Sequence, residues 1–296
     1  MKFCPGCGII NQRIYAFQGE LMKTSVSNVR EEYIRTVSEV GFDGLDESFL
    51  GYASRDEILG SLYTDSVMHR YSAVRDAGLC VAQTHLTFWP SHVEQPKCYT
   101  EYEEYMLPVL KKEIELTAKM DCRVAVMHPY FEASAEQSRL GNISLIGKLI
   151  PTLHATGVTL AVENVFAKGR TDAHHSNAEQ LLVYVKHFAD SHVGACLDTG
   201  HAIVFGIDPC DMLQKLGDSL AAIHAHSTAV GLDLHAIPLT ISSPINWHRF
   251  SDLITSSGFG GFFNLEIKPS PLLSREATEH YYKLAYSIAS DLINRK

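Results

Sequence analysis

Several things are missing from this chain of 296 residues, and each absence excludes a class of protein. No window of eighteen uninterrupted apolar residues occurs, and the opening MKFCPGCGII carries one Lys and no long apolar stretch before a cleavage-like site, so neither a membrane span nor a secretory leader is expected. Cysteine is sparse and scattered: Cys4, Cys7, Cys80, Cys98, Cys122, Cys196 and Cys210 make an odd count without framework spacing, which argues for reduced thiols and a cytoplasmic setting. Cys4 and Cys7 form a lone CxxC with no second pair and no neighbouring His, and are read as two small side chains rather than a zinc half-site. Positive charge is also short. Lys and Arg number 25 against 34 acidic residues, for a formal charge of -9, and no basic run is interleaved with aromatics. A protein that neutralises many phosphates carries a basic stripe, so nucleic acid is a poor first partner.

No composition break, low-complexity segment or Pro/Gly/Ser-rich linker divides the chain, and one domain over residues 1–296 is expected. What repeats is a unit of amphipathic helix, polar or Gly-containing turn, and apolar strand. The strand runs are KFCPGCGI, GFDGLDE, GLCVAQTH, CRVAVMH, GVTLAVEN, VGACLD, LAAIHAH and GFFNLEI, eight in all. Helical periodicity marks Ser27 to Val40, Glu101 to Met120, Ser176 to Phe188 and Arg275 to Asn294. Ser176 with Glu179 reads as a capping box, Asp208–Pro209 as a helix start, and Pro108 as a kink or restart. Alternating units of this length imply parallel strands with right-handed crossovers, and eight of them an α/β fold of the (β/α)₈ barrel type. The stretch Ser227 to Asn246 has no period and is read as a functional loop beside the seventh strand.

Five of the strands end in side chains that bind metals: His128 after RVAVM, Glu163 in TLAVEN, Asp198 in VGACLDTGHA, His224 and His226 in LAAIHAH, and Glu266 in GFFNLEI. Barrel active sites are built at those C-terminal ends, and independent helix caps have no reason to fall on one face. Glu163, Asp198, His224 and Glu266 make an oxygen-rich set with one nitrogen, suited to one divalent ion: Mn²⁺, Mg²⁺ or Co²⁺, with Zn²⁺ also allowed. His224 is preferred to His226 because it directly follows the apolar run. His85, His128 and His235 are weaker candidates for the same site. His69, His92, His154, His174, His175, His187, His192, His248 and His280 are assigned to helices or turns as structural or solvent-facing.

At VEN (Glu163), LDTGHA (Asp198 to His201), AIH (His224), DLH (Asp233 to His235), INW (Trp247) and LEI (Glu266) the chain resembles the xylose-isomerase-like barrel superfamily, which includes sugar isomerases, ketose 3-epimerases, inosose-type dehydratases and endonuclease IV. The resemblance covers the second half of the chain, with His85 and His128 extending it forward. It implies that Glu163, Asp198, His224 and Glu266 hold one divalent metal and that His201 contacts substrate. The fuller pattern of endonuclease IV, with three zinc ions, would add His85, His128, His201, Asp233 and His235. The Arg that ketose 3-epimerases often carry after the seventh-strand His is absent from STAVGLDL.

The expectation is a metal-dependent isomerase or epimerase of a sugar or polyol ketone. Glu163 and Glu266 are the proton carriers about a metal-stabilised enediolate. His201, His85, His128, His235 and Trp89 contact substrate, with Phe88 and Phe166 as further packing surfaces. The alternatives are a dehydratase of a cyclic polyol ketone, a zinc phosphodiesterase like endonuclease IV, and a non-catalytic sugar sensor. The expected partner is a small sugar or polyol, with no membrane and no nucleic acid; a homo-oligomer stays open.

Overall fold

The computed structural model describes residues 22–49, 53–89, 93–166 and 174–294. Within them lie eight strands: β1 Thr24–Ser27, β2 Gly44–Ser48, β3 Cys80–His85, β4 Val124–Met127, β5 Thr159–Glu163, β6 Val193–Asp198, β7 Leu220–His224 and β8 Phe263–Leu265. All pair in parallel, in the order β7-β6-β5-β4-β3-β2-β1-β8. The ring closes between β7 and β8 through an isolated parallel bridge, Ala225 to Leu265, in which Ala225 N–H donates to the Asn264 carbonyl (2.8 Å) and Glu266 N–H to the Ala225 carbonyl (3.2 Å). This is the (β/α)₈ barrel of the sequence reading.

Seven of the eight strand positions follow the apolar runs, and the first does not. Lys2 to Ile9, read from sequence as the opening strand, lies outside the described residues; the strand that seats between β2 and β8 is Thr24–Ser27. Its inward side chains are polar, which is why no apolar period marks it. Ser27 therefore belongs to a strand and not to a helix; the helical segment that follows begins as a 3₁₀ turn, Glu31–Tyr33, and continues as Ile34–Val40.

Pro108 sits inside the continuous helix Tyr99–Lys119 and does not end it. The ring costs one backbone bond, but Met106, Val109, Leu110 and Ile114 bury a face on either side of it, and that packing outweighs the local loss. The cap of Ala178–Phe188 lies one residue beyond the expected place: Asn177 accepts from Gln180 N–H, and Gln180 reaches back to the Asn177 N–H. Asp208 and Pro209 do open the helix Pro209–Leu216, with the Asp208 carboxylate accepting from Cys210 N–H. No helix among the described residues is long and apolar enough to cross a membrane.

The barrel interior is divided. Val126, Ala161, Cys196 and Ala222 fill one side with small apolar groups. Opposite them lies a fully buried polar net from β1, β2, β3 and β8: Asp46 Oδ2 accepts from Ser27 (2.8 Å), Gln83 (3.2 Å) and Asn264 (3.2 Å), and Ser25 donates to Asn264 (2.9 Å). Apolar side chains usually fill such an interior, so a carboxylate here calls for a reason.

Candidate functional site

The motif LDTGH positions itself residue by residue. Asp198, the last residue of β6, caps the short helix Thr199–Val204 by accepting from His201 N–H at 2.6 Å. Thr199 ties this corner to the end of β7, its hydroxyl donating to the His226 carbonyl (2.9 Å) and accepting from His226 N–H (3.0 Å). Gly200 leaves the room that the His226 ring occupies: a Cβ at Gly200 would stand 2.0 Å from His226 Cε1. His201 then folds back, its Nδ1 lying 2.9 Å from the Asn164 carbonyl and 3.1 Å from Glu163 Oε1. Asn164, just past β5, locks β5 to β6 with two bonds to the Asp198 backbone, 2.7 and 2.9 Å.

Glu163 is the hub. Its Oε2 meets His85 Nε2 and His128 Nε2, each at 3.2 Å, and its Oε1 lies 3.1 Å from His201 Nδ1 and 3.2 Å from His224 Nδ1. His224 Nδ1 also lies 3.2 Å from Glu266 Oε2 and 3.9 Å from Asp198 Oδ2. Donor atoms of Glu163, Asp198, His224 and Glu266 thus all fall within 4.8 Å of one another. Glu163 Oε1, His224 Nδ1 and Glu266 Oε2 are buried and have no hydrogen-bond partner. Unpaired buried polar atoms are costly, and several converging on one point fit a cation there. The four expected ligands are therefore brought together.

His226 is drawn in as well, which the sequence left undecided. Its ring is wholly buried, Nε2 is 3.2 Å from both Asp198 oxygens, and it stacks on His235 at 4.4 Å. The loop after β7 doubles back through an antiparallel bridge between Ser227 and Ala236, and Trp247 Nε1–H donates to Ser227 Oγ at 2.9 Å. That fold carries Asp233 and His235 to the barrel mouth, with His235 Nε2 3.1 Å from Asp233 Oδ2 and His235 itself in the left-handed region at φ 46°. His226, Asp233 and His235 form a second compact donor group, and His85, His128 and Glu163 a third.

Trp89 is the expected substrate contact that stays apart: its ring packs on Tyr105 (4.9 Å) and Tyr102 (5.8 Å), and its N–H goes to the Val93 carbonyl. Phe88 stacks on His128 at 4.8 Å and Phe166 meets His201 edge-on at 5.2 Å, so these two aromatics border the cluster. His92 lies outside the described residues. His174 and His175 are buried beside Phe131 and Tyr184.

Burial alone would raise the Glu163 carboxyl, but the His224 and His128 imidazoles hold it well below the usual range, and His201 and His226 do the same for Asp198. Burial opposes protonation of His201, yet Asp198 and Glu163 carry it up to about 10; His235 is carried up to about 9, chiefly by Asp233 and Glu266. His128 is lowered by burial. The site is a pocket of ionised carboxylates whose charge is balanced by imidazolium protons, and a divalent cation can take over that balance.

A family model described as "Xylose isomerase-like TIM barrel" matches residues 34–284. The chain belongs to this family. Among solved structures, a D-psicose 3-epimerase in the presence of D-fructose superposes with a TM-score of 0.70 at 13% identity, covering 93% of this chain and 100% of that one. A D-tagatose 3-epimerase-like protein matches with a TM-score of 0.70 at 19% identity over 92% and 98%. A 3-keto-D-glucoside 4-epimerase from E. coli matches with a TM-score of 0.67 at 14% identity over 90% and 98%. At these identities the likeness is one of fold. In sequence, the chain is 27% identical over 118 residues to protein y4fM of Sinorhizobium fredii, a stretch spanning 38% of this chain and 37% of that protein.

Proposed function

We propose that this member of the family is a divalent-metal-dependent isomerase or epimerase of a sugar or polyol ketone, working by proton transfer at the carbon beside a carbonyl. The observation that carries the reading is the convergence of unpartnered, buried Glu163 Oε1, His224 Nδ1 and Glu266 Oε2 beside Asp198 at the barrel mouth. The structural neighbours, two sugar epimerases and an epimerase-like protein, support the substrate class.

Glu163, Asp198, His224 and Glu266 would hold the ion, which when bound supplies a Lewis acid for a carbonyl and its neighbouring hydroxyl. The chain's own groups divide the remaining work. Glu163 is pinned by His85 and His128 through Oε2, which fixes its orientation and leaves Oε1 toward the site. Held below the usual carboxylate range by the neighbouring imidazoles, it is ionised, the form a proton acceptor requires. Glu266 is the more open carboxylate, its side chain 17% exposed against 1% for Glu163, so a proton it takes can exchange with water. His201, protonated at neutral pH, donates to a developing negative charge on a substrate oxygen. Phe88 and Phe166 offer apolar faces to the carbon skeleton.

The test is turnover of a ketose panel by the Mn²⁺-loaded protein in D₂O, followed by NMR of the products. Deuterium at the carbon next to the carbonyl is expected. Complete retention of the original hydrogen in a converted substrate would refute proton transfer, and no conversion across the panel would refute the substrate class.

A second reading, phosphodiester hydrolysis by a multi-ion centre, is favoured by a specific observation. Asp233 Oδ1 and His226 Nδ1 are also buried without partners, so the second donor group has the same signature as the first. Elemental analysis separates the two: one ion per chain fits the isomerase, while three zinc ions with cleavage of abasic DNA would favour the hydrolase.

A further inference from the structure

The proposed chemistry leaves Asp46 without a task, although its carboxylate is buried in the polar net inside the barrel. It is 5% exposed and its Oδ1 has no partner, while Oδ2 is held by Ser27, Gln83 and Asn264 from three other strands. Directly across from it stands the inner edge of the His224 ring, with Nε2 3.5 Å from Asp46 Oδ2 and likewise without a hydrogen-bond partner. The ring therefore has two distinct edges. Nδ1 faces Glu163, Asp198 and Glu266; Nε2 faces Asp46.

A histidine can offer a bare Nδ1 to a cation only if its remaining proton sits on Nε2, and that N–H then needs an acceptor where water does not reach. Resting on the metal-dependent reading above, we propose that Asp46 is a positioning residue for His224: it accepts the Nε2 proton, fixes the ring's tautomer and rotation, and so presents Nδ1 to the ion. The three donors on Oδ2 make sense in this light. They anchor the carboxylate from β1, β3 and β8, so the acceptor is held by the wall of the barrel and not by the loops at its mouth. A net of this kind is expensive to bury unless each member is satisfied, and Asp46 Oδ2 is the acceptor nearest the otherwise unpartnered His224 Nε2. Outer groups of this sort typically change ion affinity by about 10- to 100-fold when removed.

The experiment uses Zn²⁺ alone as probe, with affinity read by competition against a chromogenic chelator and ring nitrogens read by long-range ¹H–¹⁵N spectra of histidine-labelled, Zn²⁺-loaded protein. His224→Ala serves both to assign the ring signals and to test the underlying reading. In the wild type His224 is expected as the Nε2–H form with Nδ1 bound. Asp46→Asn, which keeps a neutral acceptor, should weaken Zn²⁺ binding less than Asp46→Ala, and Asp46→Ala should weaken it by about 10- to 100-fold and shift or broaden the Nε2–H signal. Ser25→Ala, in the same net but off the His224 edge, controls for loss of structure and should leave both readouts in place. If His224→Ala binds Zn²⁺ like the wild type, the metal-site reading fails and the proposal with it. If His224→Ala loses the ion while Asp46→Ala keeps wild-type affinity and an unchanged His224 spectrum, the metal-site reading stands and the role of Asp46 is overturned.

Discussion

Replacing Gly200 with alanine tests whether the LDTGH corner is built around the His226 ring. A Cβ at this position would stand 2.0 Å from Cε1, 2.5 Å from Nε2 and 2.8 Å from Nδ1 of that ring. Carbon atoms in contact settle at about 3.5–4.0 Å, so the ring must retreat by roughly 1.5 Å. It has nowhere easy to go: it is wholly buried, stacked on His235 at 4.4 Å and bonded to both Asp198 oxygens at 3.2 Å. Overpacking of this kind costs about 1–3 kcal/mol, and at about 2–4 °C per kcal/mol the melting point should fall by roughly 2–12 °C. Retreat also takes the imidazole from Asp198, so Zn²⁺ affinity should drop with it. Thermal denaturation by circular dichroism, with a chelator competition titration alongside, measures both. The cycle partner is His226→Ala, which removes the obstacle. In that background Gly200→Ala should stabilise by about 0.4–1 kcal/mol, because alanine suits a helix better than glycine. A single Gly200→Ala variant that melts at or above the wild type and binds Zn²⁺ unchanged would refute the packing argument.

Glu163→Gln and Glu266→Gln should each abolish turnover on any substrate found, while the far-ultraviolet spectrum stays that of the wild type; near-normal activity in either variant counts against its role as proton carrier. Zn²⁺ binding near pH 7 should release about one proton per ion, since His224, held well above the usual imidazole range in the ion-free protein chiefly by Cys196, Glu163 and Glu266, must give up its proton to ligate the cation. Calorimetry in buffers of different ionisation enthalpy reads this, and affinity should fall as pH falls. Glu113, fully buried under Thr87 N–H (2.8 Å) and Thr87 Oγ1 (2.7 Å), is pushed up by burial to about 8. Its folded pKa lies above the unfolded value, so the folded state holds the extra proton and stability declines as pH rises from about 5 to about 8. Glu113→Gln should flatten that decline in denaturant titrations across this window, and an unaltered slope would show that Glu113 is ionised throughout.

Much of the fold could be read from apolar runs, because β4, β5, β6 and β7 are buried over most of their length and present them nearly without interruption. The first strand escaped because TSVS has one apolar residue, Val26, and spends its inward positions Ser25 and Ser27 on the Asp46 net. The cap of Ala178–Phe188 was misplaced by one residue because Ser176/Glu179 and Asn177/Gln180 overlap as capping pairs, and only backbone geometry chooses between them. In the site, strand-end position located Glu163, Asp198, His224 and Glu266. It could not rank His226, whose place depends on a glycine 26 positions earlier making room for it. Nor could it single out Asp46, since its partners Ser27, Gln83, Asn264 and His224 are spread over four other strands. Trp89 was chosen for its position in the chain, which does not report that two tyrosines pack against its ring.

The join between β7 and β8 has a mechanical consequence. Neighbouring strands elsewhere share between two and five paired positions, whereas this join rests on the single bridge at Ala225 and Leu265. It is the zip's last tooth, and the amides of Ala225 and Glu266 should be among the barrel's first to exchange with deuterium. His224 and His226 flank the tooth on one strand and Glu266 on the other. A cation gripped by His224 and Glu266 would act as a rivet across the gap, so loading the site should slow exchange at those two amides more than at the ladder between β4 and β5. The barrel would then owe its closure, at its thinnest point, to the same ion it holds for chemistry.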